Sequence, residues 1–506
     1  AMALEKRYQA GKEPPFAELA YHWEQAAEKE TAVVWHQRAA EQAAAYFANA
    51  EAVYHYKRAL ALLPSEALVR AADLLLKLSA FRLKLIELYH LMGEREPEQA
   101  QLERFASVVE VLDTAQLRIM LLNRQSKYAK VTGDYQKASA LSRRAATLAD
   151  IQGNLQQRAR AKLNLGVALQ FLEEIDQAEE VLSQALHLAG MVNDELLVSE
   201  CSLALGKMFW LKDQFEEAKY YVQQALLLSK NLGNIASEGL ALNRLGLIHE
   251  NLYDFDAAEM CLLEALQIFT GIGDRWSQSI VLGNLGYMTM RLGQYDRAEQ
   301  YYQADLELGQ AISDRHGHIW TLSYLSYLST QREAYDTAVS YAHQAQDLLA
   351  RFENEWLHMM NRWHLGLALL GRNDLQLAQK SLVEALALAE SYAQYARHRV
   401  EIAVTLADTV FRMGHLSAAR EYLEPVIPFC QSSTVMRVAD VSRIFLVCYQ
   451  ILAAAADPRA LPLLEKGYRM LEKQAERIND SSVRQTFLNS VPANRQLQAA
   501  WRGEQT

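Results

Sequence analysis

A short pattern returns every 40 residues through most of this 506-residue chain, and a fixed period of that length marks a stacked array of like units. The pair Leu165-Gly166 recurs as Leu205-Gly206, Leu245-Gly246, Leu285-Gly286, Leu325-Ser326 and Leu365-Gly366, and gives way to Thr405-Leu406. An alanine stands twelve positions after each small residue, at Ala178, Ala218, Ala258, Ala298, Ala338 and Ala378. Seven further on come Ala185, Ala225, Ala265, Ala345 and Ala385, with Asp305 the exception. Upstream, Ser126, Ala138 and Ala145 extend the register, and downstream Ala418 keeps it weakly. Ala52, Ala59 and Pro64 keep the internal spacing but fall outside the strict period.

Within a unit, two apolar stretches of helical spacing flank a polar turn, as in 161–171, then Glu173-Glu174-Ile175-Asp176, then 177–189. This predicts helix, turn, helix. The small residue and the alanines strip bulk where the helices cross, letting their axes approach the short end of the usual ~8–10 Å. Three before the first alanine stands Tyr135, Ile175, Phe215, Phe255, Tyr295, Tyr335 or Leu375, placed to wedge the corner. Asp134, Asp254 and Asp374 precede wedges and can cap the second helix. Gly233-Asn234, Gly273-Asp274 and Ser313-Asp314 supply turn chemistry between units.

On these residues the chain resembles the tetratricopeptide repeat family, whose units carry the same small residue, paired alanines and aromatic corner. The usual unit has about 34 residues, so this is a longer-helix form. The resemblance implies an all-α right-handed superhelix, a solenoid of helix pairs. Its parts would be irregular pairs over 1–114, the regular array over 115–425 and a helical cap over 426–506. The register slips near residues 94–97, which leaves open whether the superhelix is continuous there.

Composition narrows the chemistry. A net charge of −10 argues against direct nucleic-acid binding and leaves room only for a local basic patch. Cys201, Cys261, Cys430 and Cys448 have no paired spacing and read as buried reduced thiols. No apolar run reaches the ~18 residues of a membrane span. The opening Ala1-Met2-Ala3-Leu4-Glu5-Lys6-Arg7 lacks the apolar core of a signal peptide, so a cytoplasmic location is the default expectation. The phosphate-binding glycine loops, H-E-x-x-H and G-x-S-x-G are absent from the sequence. His316 and His318 fall at an expected inter-repeat turn, while His358 and His364 would diverge on a helix, and neither pair reads as a metal site. Glu173-Glu174 and Glu216-Glu217 read as solvated helix starts rather than an acid and base. Neither an enzyme nor a cofactor is expected.

The family's groove-facing residues come from the first helix, near the small residue and one turn either side. By that resemblance the central groove would draw on Lys207, Trp210, Asn243, Glu250, Tyr287, Arg291, Trp320, Tyr327 and Trp363. Asn164 and Asn284 recur two before the glycine, where an amide can bond either a bound peptide backbone or the neighbouring repeat. Trp276, Trp320, Trp356 and Trp363 cluster within ninety residues and suit either a binding hot spot or packing between helices. Tyr220-Tyr221 and Tyr301-Tyr302 belong to second helices and read as packing.

Both ends carry a second resemblance. Residues 18–26, 38–43 and 52–60 are similar to the junction where STAND-class signalling ATPases, including multidomain bacterial transcriptional regulators, pass into a helical sensor. The run Glu476-Arg477-Ile478-Asn479-Asp480, with 484–488 and 491–495, is similar to their closing segment. The resemblance implies an excised sensor, with Ala1-Met2 a cloning remnant and a nucleotide-binding module upstream in the parent chain. Its partner would be a protein, peptide or small-molecule inducer, binding of which releases the ATPase. The alternative is a free-standing adaptor that clamps a partner peptide.

Overall fold

A computed structural model describes residues 15–64, 71–172, 174–312, 314–350, 354–391, 396–432 and 440–505. Ala1-Met2 and the residues read for a signal peptide lie outside them, as do Glu173 of the acidic pair and Ser313 of the turn. Among the described residues the regular structure is entirely helical, 26 helices without a strand.

The structural unit is half the sequence repeat. From Ala115–Val131 to Leu375–Glu390, helices begin 20 residues apart, and most are 17 residues long. Two or three residues join most neighbouring helices, one of them left-handed: Asp113, Gly133, Gly153, Asn193, Asp213, Gly233, Tyr253, Gly273, Gly293, Glu333 and Asn373 all have positive φ. At most of these corners the residue after it donates its N–H to a carbonyl five positions back, as Asp134 does to Ala129 at 2.8 Å and Asp274 to Phe269 at 3.0 Å. This is a Schellman closure.

The same residue also starts the next helix. The side chains of Asn154, Asp194, Asn234, Asp274, Asp314 and Asn354 each accept from the N–H three residues on, at 2.9–3.0 Å. One residue thus ends one helix and caps the next, which makes a three-residue connection sufficient. Of the caps expected within units, Asp134 accepts from Lys137 at 3.0 Å and Asp254 from Ala257 at 3.3 Å. Asp374 makes no cap bond, because its carboxylate is taken by Arg372.

The expected wedges Tyr135, Ile175, Phe215, Phe255, Tyr295, Tyr335 and Leu375 are each the first residue of a second helix. The polar turn is therefore shorter than expected, since Ile175 and Asp176 are already helical. Tyr135 stacks on Phe171 at 4.6 Å, at the end of the next first helix, and Tyr335 packs on Gly371 in the same way. His316 and His318 likewise sit in the first turn of Arg315–Gln331 rather than in the turn before it.

The small residue is a socket. A Cβ on Gly166 would stand 2.5 Å from Leu182 Cγ, on Gly246 2.6 Å from Leu262, on Gly286 2.7 Å from Tyr302 and on Gly366 2.5 Å from Leu382. Where Ser126 replaces the glycine, the knob shrinks to Ser142 and the two hydroxyls bond at 2.7 Å.

The chain divides into two compact units. The first comprises Ala1–Leu211, Tyr220–Ala241 and Gln267–Ser277; the second comprises Lys212–Lys219, Leu242–Leu266 and Gln278–Thr506. Within the first, Ala72–Met92 and Arg95–Leu112 meet at Gly93 with the usual corner, Glu94 donating to Tyr89 at 2.9 Å. Ile86, Leu102, Phe105, Val109 and Leu117 share one core, so the array continues through the register slip. Asn49 then donates to the Ile272 carbonyl at 3.0 Å, 223 residues on. Within the second unit, Arg477 reaches the Leu252 carbonyl at 2.7 Å and Asn479 reaches Asp256 at 2.6 Å. Here too Cys430 and Cys448, unpaired in sequence spacing, have thiols that hydrogen-bond each other while remaining free.

Candidate functional site

The first helices of successive units carry an asparagine rung. Asn164 donates to Asn123 at 3.1 Å in the first unit, and Asn284 donates to Asn243 at 2.9 Å in the second. Each rung joins a residue two before the small position to one three before it in the preceding repeat. The neighbour-bonding role is therefore the one these amides fill. Lys207 lies over the Phe171 ring at 3.8 Å, and Trp210 is half-buried on the same helix.

In the second unit Glu250 is 3% exposed and pairs with Arg291. The guanidinium also lies over Tyr253 at 5.4 Å, Phe255 at 5.8 Å and Tyr287 at 5.8 Å. Burial works against its charge, but Glu250 and the tyrosines outweigh it and hold Arg291 firmly protonated. Removing one partner of such a buried pair costs ~3–5 kcal/mol, because the other is left uncompensated.

From Tyr287 an aromatic ladder crosses the successive first helices. Tyr287 meets Tyr324 at 5.5 Å, Tyr324 meets Trp320 at 4.2 Å and His364 at 5.3 Å, and His364 stacks on Tyr327 at 4.9 Å. Burial pulls His364 down to about 3, so its ring is neutral and bonds the Ser323 carbonyl at 2.9 Å. Trp363 is 4% exposed and donates its indole N–H to Thr405 at 3.2 Å, which makes it a packing residue of this face. Trp320 and Tyr287 are only half-buried.

Beside Arg291 and Tyr327 lies a cavity of about 40 Å³, lined also by Gln331, Asp440, Ser442, Gln474 and Asn494. That is room for a few waters or one small polar group. Burial raises the Asp440 carboxyl, against the opposing pull of Arg443 and Arg291. Asp440, Gln474 and Asn494 escaped the sequence reading because they lie beyond the periodic array. Their signal was a polar residue on an apolar helical stripe, as Gln474 and Asn494 are 5% and 3% exposed. Among the described residues no group of three or more His, Cys, Asp or Glu could hold a metal, and no helix is long and apolar enough to cross a membrane.

Tetratricopeptide repeat models match residues 159–190, 240–269 and 281–316. A search of curated proteins gave no match. Among solved structures, a Rap protein complexed with Competence and Sporulation Factor aligns at 15% identity over 74% of this chain and 99% of its own, with a TM-score of 0.50. A STAND protein with a tetratricopeptide repeat sensor from Pyrococcus horikoshii aligns at 16% identity over 66% of this chain and 52% of its own, TM-score 0.41. The apo quorum sensor NprR from B. thuringiensis aligns at 14% over 70% and 97%, TM-score 0.48. Three stretches of this chain thus match tetratricopeptide repeats, and its fold is like that of the Rap protein.

Proposed function

We propose that this tetratricopeptide-repeat chain is the ligand-sensing scaffold of a larger signalling ATPase or transcriptional regulator, acting in the cytoplasm. A protein, peptide or small-molecule inducer would bind on the first helices of the regular array 115–425, flanked by the pairs of 1–114 and the cap of 426–506. A nucleotide-binding module would precede it in the parent chain. The observation that carries this reading is the exposed edge of the aromatic ladder beside the Arg291 pair and its polar cavity. Aromatic rings and a buried arginine are the side chains that dominate binding energy.

Within that face Tyr287, Arg291, Trp320 and Tyr327 would touch the ligand, and Lys207 and Trp210 are the contacts proposed within the first unit. Asn243, Glu250, Asn284 and Trp363 would position the second unit's contacts, and Asn164 would hold the first helices of the first unit. The STAND attachment rests on the end segments, which are similar to sensor junctions. The second reading, a free-standing peptide adaptor, shares the same face and lacks the upstream module.

The face is tested with compounds and peptides that raise the melting temperature of the intact chain. Their effect should vanish in Trp320→Ala and in Arg291→Gln, while Trp363→Ala should instead cost ~3–5 kcal/mol of stability. Ligands whose effect survives both of the first two substitutions would refute the assignment.

A further inference from the structure

The cavity beside Arg291 and Tyr327 is lined from within the second unit alone, and Asp440 is the one carboxylate in its wall. Asp440 caps the helix Val441–Ala454, and there it accepts a single hydrogen bond, from the Arg443 N–H at 3.1 Å. An ionised carboxylate has sites for about four. The guanidinium groups nearby are committed elsewhere. Arg291 pairs with Glu250, and the Arg443 side chain donates to Thr405 at 2.9 Å. Arg443 also stands 3.9 Å from Asp408, which in turn takes Arg412 at 2.9 and 3.2 Å. Asp440 itself forms no ion pair among the described residues. Arg443 and Arg291 both pull on its carboxyl, yet burial outweighs them and holds it above the ordinary value.

The rest of the wall offers acceptors and apolar surface. Asn494, 3% exposed, spends an amide hydrogen on the Phe487 carbonyl at 2.8 Å and keeps its oxygen. Gln474, 5% exposed, bonds the Tyr253 hydroxyl. Met290, Phe487 and Val491 supply the apolar side. A volume of about 40 Å³ admits a small head group and excludes a ring. Asp440 and Gln331 are only half-buried, which leaves the cavity a way to solvent.

We infer that this cavity takes the primary ammonium group of the ligand, with Asp440 as its counter-ion, an inference that rests on the sensing face proposed above. A primary ammonium brings a positive charge and three N–H donors, which suit the Asp440 carboxylate and the amide oxygens of Gln474 and Asn494. The carbon next to the nitrogen meets the apolar side. An anionic group would face Asp440 and find Arg291 already neutralised by Glu250, and a quaternary ammonium brings no donor. Tyr327 borders both the cavity and the aromatic ladder, so the body of the ligand would lie along the ladder. The ammonium can come from a peptide N-terminus or from a small alkylamine.

The intact chain is titrated with isotope-labelled methylammonium and with glycinamide, a peptide N-terminus in miniature, at constant ionic strength, with tetramethylammonium and acetate as comparators. Binding is read by NMR and by melting temperature. Both primary amines should bind more tightly than either comparator. A stronger response to glycinamide identifies a peptide N-terminus as the source, and a stronger response to methylammonium identifies an alkylamine. Asp440→Asn keeps the cap, since asparagine caps as well as aspartate, and should weaken amine binding by about tenfold or more, the loss expected of a hydrogen bond to a charged partner. Amine binding no tighter than that of tetramethylammonium or acetate, or unchanged in Asp440→Asn, would overturn the assignment. The two readings fail separately. Ligands that depend on Trp320 but carry no amine and ignore Asp440→Asn would sink this inference and leave the aromatic face standing. Amine binding lost in Asp440→Asn, with every ligand indifferent to Trp320→Ala and Arg291→Gln, would sink the face instead.

Discussion

Asp305 is the one residue that breaks the second alanine position, and it is 3% exposed with no cation acting on it among the described residues. It accepts hydrogen bonds from Ser279 and, at 2.6 Å, from Thr321, on the two flanking first helices. Burial nonetheless raises its carboxyl from 3.8 to about 6, against the pull of both hydroxyls. The folded protein therefore holds a proton that the unfolded chain has released, so stability falls as pH rises through that window. Above pH 6 the full cost applies, of order ~3 kcal/mol. Asp305→Asn should melt higher than the parent at pH 8, with the gain disappearing near pH 4. The reverse sign belongs to His36 and His55, 2% and 4% exposed, whose Nδ1 atoms lie 2.9 Å apart. Burial lowers both, and for His55 the neighbouring His36 adds to it against Glu51. At low pH the unfolded chain binds protons that this pair refuses, even with Glu24 at 2.9 Å from His36. Hydrogen exchange in Lys29–Ala45 and Asn49–Leu62 should therefore quicken as pH drops below the ordinary histidine value of 6.5, in the opposite direction from the Asp305 effect.

A helix of 17 residues closed by a left-handed residue, with a cap directly after it, is the element from which the array is made. The positions that depart from glycine at the closure carry measurable strain. Glu333 has φ 61 and is exposed, with only a 3.6 Å pair to Arg495, itself exposed. Glu333→Gly should raise stability by ~1 kcal/mol, by relieving the left-handed conformation. Asn154→Ala should cost ~1 kcal/mol through loss of its cap bond, and both are read by chemical denaturation. Much of this was legible, because glycine sockets, corner wedges and the 40-residue spacing are residue identities that repeat. The half-period was less so, since the left-handed position is filled by Gly, Asn, Asp, Tyr or Glu and so has no constant letter. Asp374 misled for a related reason: an aspartate at a cap position bonds whichever donor is nearer, and Arg372 is.

At the scale of the whole molecule, contacts some 223 residues apart hold each unit together, Asn49 to Ile272 in the first and Asn479 to Asp256 in the second. No spacing in the sequence announces them, because they join surfaces of helices whose local patterns are already satisfied. The same is true of the cavity, whose wall of Asp440, Gln474 and Asn494 comes from beyond the periodic array. Trp320 and Arg291, by contrast, were named by their position in the repeat alone. Arg477→Ala with Asn479→Ala should speed amide exchange around 252–256 while leaving the Asn49 corner unchanged, since the second unit alone loses those bonds. The sensor reading itself turns on what precedes this chain in its gene. Sequencing the parent reading frame upstream of Ala1 should reveal a phosphate-binding G-x-x-x-x-G-K-[ST] loop in frame. A stop codon directly before Met2 would contradict the account and leave a free-standing adaptor.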